Sequence, residues 1–128
     1  MTLKKFALYH LPAIIYSMGI IIVSSIPNLN TPKVTLIAFD KVLHFFEYGL
    51  FSFLIYRSFS SLFEGARPSR VFFLSLLFLT LFALADEIHQ KYIPGRYADP
   101  YDLIFDITGS VLILILLWMR HNKKSSAV

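Results

Sequence analysis

Seven of the eight acidic residues in this sequence fall into three short groups, and the spacing within each group is helical. Asp40, His44 and Glu47 are four and three positions apart; Asp86, His89 and Gln90 share a second stripe, with Glu87 one turn from Gln90; Asp99, Asp102 and Asp106 form a third that runs on into Gly109 and Ser110. At about 100° per residue such spacings put side chains on one helix face. Carboxylates and imidazoles gathered this way can hold a cation, share protons or act as general acids and bases. Repulsion limits the choice. Two carboxylates about 6 Å apart cost roughly 2.8 kcal/mol at an effective dielectric of about 20, so a shared pocket cannot keep all of them as bare anions.

Nearby bases offset part of that charge. Arg96 is the strongest partner, with Lys41 and Lys91 beside it; seven acids against three bases leave a balance of −4 before His44 or His89 gains a proton. The remainder calls for shared protons, a divalent cation or a positively charged ligand group. In a catalytic reading Glu47 or Glu87 is the general base and His44 a proton shuttle, with His44, Glu87 and Asp106 as a metal set. HxxE on one helix is too common a pattern to name the metal, which stays open. Lys41, Tyr48, Asp86, Gln90, Arg96 and Asp102 are the binding residues.

Each residue also has a plainer reading. Asp40 and Asp99 precede helices and are good N-caps. Lys41 and Lys91 read as interfacial side chains that snorkel, and Arg57 as one that snorkels or pairs with Glu64. His44, Glu47 and Asp106 can be a buried hydrogen-bond network that locks helices together. His89 falls at the edge of its stripe, and His10 and His121 read as interfacial or solvated.

The elements that carry these stripes follow from composition. Of 128 residues, 56% are hydrophobic and 16% charged, and the mean hydropathy is +0.64. Soluble domains carry about a quarter charged residues, so this balance points to a membrane. Four apolar runs predict helices over residues about 6–26, 41–63, 71–91 and 100–119, an all-α polytopic bundle of four transmembrane helices in one domain. The first run is longer than a signal-peptide core and reads as a retained helix. Pro27, Asn28, Asn30 and Pro32 break the chain after it; Gly65 and Pro68 make a basic turn; Pro94-Gly95-Arg96 ends the third helix. Asp99-Pro100-Tyr101-Asp102 resembles a helix start, and the small Gly109 and Ser110 allow a neighbouring helix to come close.

Lysine and arginine placement sets the orientation. With both termini cytoplasmic, the inner side holds seven (Lys4, Lys5, Arg67, Arg70, Arg120, Lys123, Lys124) and the outer side four (Lys33, Lys41, Lys91, Arg96). That bias favours N-in, C-in. The three stripes then meet in an outward-facing polar pocket, and Tyr92, Tyr97 and Tyr101 fall at an outer aromatic belt. Absence of cysteine removes disulfides and thiolate chemistry. The net charge of +4 lies in short segments between apolar runs, which excludes a nucleic-acid partner and leaves the bilayer as the first one. Oligomeric state stays open.

The run from Asp40 to Tyr48 (DKVLHFFEY), Asp86 to Gln90 (DEIHQ), Pro94-Gly95-Arg96 and Asp102 to Gly109, preceded by Ser24-Ser25-Ile26-Pro27, resembles the VanZ-like membrane protein family over residues about 16–115. The resemblance implies a small multi-helix membrane protein. It carries the family's motif positions onto Lys41, His44, Tyr48, Asp86, Glu87, Gln90, Pro94, Arg96, Asp102 and Gly109. Where the family often has Asn, this chain has Asp106. The name-giving member is associated with resistance to the glycopeptide teicoplanin, which makes a cell-envelope protein the expectation here. Three functions stay open: binding the head group of a lipid-linked or amphiphilic envelope molecule, membrane-embedded acid–base or metal chemistry on such a molecule, or a structural scaffold.

Overall fold

The computed structural model describes residues 2–28 and 37–125. Among the described residues the fold is all-helical, in the order α1 (Leu3–Tyr9), α2 (Leu11–Ser24), α3 (Ile37–Leu62), α4 (Pro68–Gln90) and α5 (Pro100–Ser125). The expected breaks at Asn30 and Pro32, and the outer charge at Lys33, lie outside the described residues.

The first apolar run is two helices rather than one, bent by 43°. Pro12, in the first turn of α2, has no N–H to give to the carbonyl four residues earlier, so the helical ladder cannot continue through His10. His10 is correspondingly inside the protein, 8% exposed, with Nδ1 2.7 Å from Ser58 Oγ. It is a packing residue, not an interfacial one.

The next helix begins three residues before Asp40, which therefore sits in its first turn and is no N-cap. At the other junction the helix-start reading holds: α5 opens at Pro100, and Asp99 Oδ1 accepts the Tyr101 amide N–H at 2.9 Å. That helix runs to Ser125, beyond the expected end near residue 119, because its polar last turns stay helical; His121 Nδ1 meets Tyr56 OH at 3.0 Å.

The closest helix pairing joins α3 and α5, and Gly109 makes it possible. A Cβ at Gly109 would lie 2.1 Å from the carbonyl oxygen of Phe45, so only glycine permits that approach. Ser52, Ser75 and Ser110 are also buried, small residues of the kind that permit close helix packing. Tyr48, Phe51, Leu79 and Leu114 fill the centre, between α3, α4 and α5. Large apolar side chains face outward instead: Phe46 is 67% exposed, and Phe73, Leu77 and Leu116 more than half. The segments Pro68–Gln90 and Pro100–Lys123 are long and apolar enough to cross a membrane, and α1 with α2 would make a third such span. This is the pattern of a protein whose solvent is lipid.

Candidate functional site

Three helix ends converge at one end of the bundle. The first turns of α3 bring Asp40, Lys41, His44 and Glu47; the last turn of α4 brings Asp86, Glu87 and Gln90; the following turn and the start of α5 bring Arg96, Asp99, Asp102 and Asp106. Because α5 lies against α3 at Gly109, its acidic stripe falls opposite the α3 stripe.

Lys41 is the knot of this end. Only 7% exposed, its Nζ donates to Asp99 Oδ2 at 2.6 Å and to Asp102 Oδ1, with Asp40 Oδ2 at 3.8 Å. The snorkelling expected of it is replaced by a buried ion pair to another helix. Asp99, outside the helices, is held below the usual carboxylate range by the hydrogen bond from Lys41, with the Tyr101 amide acting in the same direction. Its own N–H donates to Glu87 Oε2 at 3.0 Å. Glu87 thus anchors the turn before α5, a structural role the catalytic reading did not include.

His44 Nδ1 lies 3.0 Å from Asp106 Oδ1, and its Nε2 3.8 Å from Asp102 Oδ2. With the carboxylate accepting, the imidazole carries its proton on Nδ1. Gln90 Nε2 donates to Asp86 Oδ2 at 3.0 Å. Glu47 has no side-chain hydrogen bond or ion pair among the described residues. His89 turns away toward Ser25, Nε2 to Oγ 2.9 Å.

A cavity of about 160 Å³ opens among these groups. Asp40, His44, Glu47, Asp86, Gln90 and Arg96 line it on one side, and Ile20, Val23 and Ser24 of α2 on the other. Among the described residues, the side-chain atoms buried without a partner include Tyr48 OH, Asp86 Oδ1, Arg96 Nε and Ser110 Oγ. Buried polar atoms are nearly always bonded, so an acceptor on Asp86 and a donor on Arg96 mark room for a group that carries both.

For metal, the donor atoms that lie within 4.8 Å of one another belong to Asp40, His44 and Asp102, not to His44, Glu87 and Asp106. The Lys41 ammonium already sits on two of those carboxylates, supplying the charge a cation would bring. A divalent ion would have to displace it.

Sequence reasoning missed the contribution of α2. Arg96 Nη2 donates to the Val23 carbonyl at 2.8 Å, and the Asn28 N–H donates to Pro94 O at 3.0 Å. Gly95 has φ +76°, a conformation that favours glycine, and Asn28 packs closely over it, with its backbone Cα 3.1 Å from where a Cβ would lie. The signal was the Pro-Gly-Arg run, readable as a turn but not as a clasp on the first apolar segment. Of the two readings of Arg57, pairing with Glu64 is corrected: Glu64 pairs with Lys5, and the Arg57 guanidinium lies 4.9 Å from the Tyr9 ring centre.

A family model described as VanZ/LLP1 matches residues 4–121, nearly the whole chain. No curated protein and no solved structure matches.

Proposed function

The chain belongs to the VanZ/LLP1 family, and on that premise we propose that its polar cavity binds the head group of a lipid-linked or amphiphilic envelope molecule at the outer membrane face. Four spans, counting α1 with α2 as one and α3 as another, with both termini cytoplasmic, put the cavity at that face; the lysine and arginine distribution supports this orientation. α3 has the length, 26 residues, and pairs its buried Lys41 and half-buried His44 with carboxylates of α5.

One observation carries the reading: Asp86 and Arg96 line the same cavity, and each has a buried atom, Oδ1 and Nε, without a hydrogen-bond partner among the described residues. Arg96 meets a phosphate or carboxylate. Asp86 and Glu47 meet an amine or share a proton. The test is equilibrium binding of lipids with phosphate-bearing and neutral heads to purified wild type, Arg96→Ala and Arg96→Lys, each checked for its melting temperature. Preference for the phosphate head should fall about tenfold or more in Arg96→Ala, the value of one charge-assisted bond, and return in part in Arg96→Lys. Equal preference in all three removes Arg96 from recognition.

The hydrogen-bonded pair His44–Asp106, within reach of an unbonded Glu47, favours a second reading: a membrane enzyme in which His44 carries protons for Glu47. Turnover of an envelope lipid that survives both Glu47→Gln and His44→Gln would dismiss it.

A further inference from the structure

An apolar groove of about 650 Å³ runs along α1 and α2 against α3, and it ends where the polar cavity begins: Ile20, Val23 and Glu47 line both. Its walls between these points are Leu11, Ile15, Gly19 and Leu54, with no charge before Glu47. From Leu11 to Val23 the helix rises about 18 Å at 1.5 Å per residue, close to half of a hydrocarbon core of about 30 Å. Ala7 of α1 lines it as well, so the groove is long enough for the hydrocarbon chain of one leaflet. Apolar walls that run into a polar cavity suit the hydrocarbon chain of a lipid, whose head then reaches that cavity.

The polar end narrows the choice further. Asp86 Oδ1 lacks a donor and Arg96 Nε lacks an acceptor, and Glu47 stands unbonded at the junction of groove and cavity. A head group with an ammonium and an oxyanion satisfies both atoms; a purely anionic head leaves three carboxylates, on Asp40, Glu47 and Asp86, facing it. We propose that groove and cavity are one site for an outer-leaflet lipid whose hydrocarbon chain lies along α2 and whose head carries both an ammonium and a phosphate. This rests on the head-group reading above and adds to it the chain and the charge type.

Gly19 provides the test. It lines the groove, and a Cβ there meets nothing within 4 Å, so Gly19→Leu starts in open space, occupies the groove and removes a helix-weakening glycine. The probe is a lysophosphatidylethanolamine with a photoreactive diazirine in its tail, added to the detergent-purified protein; the comparison probes have the same tail on a phosphate-only head and on a neutral glycerol head. Wild type should crosslink within residues 11–23 and take up the ethanolamine probe in preference to both others. Gly19→Leu should keep its melting temperature and lose about tenfold in labelling, as expected if the new side chain displaces about two methylenes. Glu47→Gln should narrow the preference for the ammonium head.

Unchanged labelling in Gly19→Leu, or crosslinks confined to another surface, overturns the groove; if Arg96→Ala still loses binding in that experiment, head-group recognition stands without it. Equal labelling by all three heads overturns the assigned charge type. Should Gly19→Leu not fold, tails of increasing length on wild type decide instead: affinity that rises and then levels off supports a groove of finite depth, and affinity indifferent to tail length overturns it.

Discussion

The two ends of the bundle both carry charge, and they use it in opposite ways. At one end Lys41, Asp102, Asp106 and Glu87 are buried and bonded across helices far apart in sequence. At the other, Lys5 pairs with an exposed Glu64, Arg57 lies over Tyr9, and Arg120 is exposed. Exposed charges are cheap to lose because water replaces their partners, whereas a buried ion left alone has nothing to turn to. The acidic end thus holds the fold together as well as shaping the cavity, and function there cannot be probed without measuring stability alongside it.

The sharpest way to break this contrast is to remove one cation from each end. Lys41→Met should cost about 3–5 kcal/mol, because Asp99 and Asp102 lose their shared partner; Lys5→Met should cost less than about 1 kcal/mol. Chemical unfolding in detergent measures both, and equal losses would end the distinction. Next in size is the helix contact beneath the cavity. Gly109→Ala should destabilise by about 1–3 kcal/mol by pushing α5 off the Phe45 carbonyl, while Gly19→Ala should be neutral or stabilise by up to about 1 kcal/mol. His10→Ala should cost about 1–2 kcal/mol through the orphaned Ser58 hydroxyl, an effect that Ser58→Ala in the same chain should partly relieve.

The smallest effect is on pH. Asp99 is held below its ordinary value of 3.8, so its contribution is full above that pH and is lost as pH falls through the lower folded value. Unfolding midpoints between pH 7 and pH 3 should therefore decline at the acid end in wild type and decline less in Asp99→Asn. A steeper decline in the variant would reverse the sign.

What was legible in the sequence was whatever repeats locally. Asp40, His44 and Glu47 declare a stripe by spacing alone, and Gly109-Ser110 declare a close approach because small residues have no other use there. Pro12 is legible too, but the prevailing hydrophobicity of residues 6–26 reads as one run, and hydropathy does not register a missing N–H. Lys41 could not be placed from its neighbours, since its two main partners, Asp99 and Asp102, lie 58 and 61 positions away. Spacing showed that acids cluster; it did not show which of them a lysine would neutralise, nor that α2 forms a wall of the same cavity.

The distance in sequence between Lys41 and its acids also sets an order of assembly. While α3 and α4 have been synthesised and α5 has not, the ammonium has only the neighbouring Asp40 to answer it, and three-helix intermediates must keep that end wet. Arrival of α5 supplies the missing carboxylates, so the helix that follows α4 is the one that lets α3 bury its charged end.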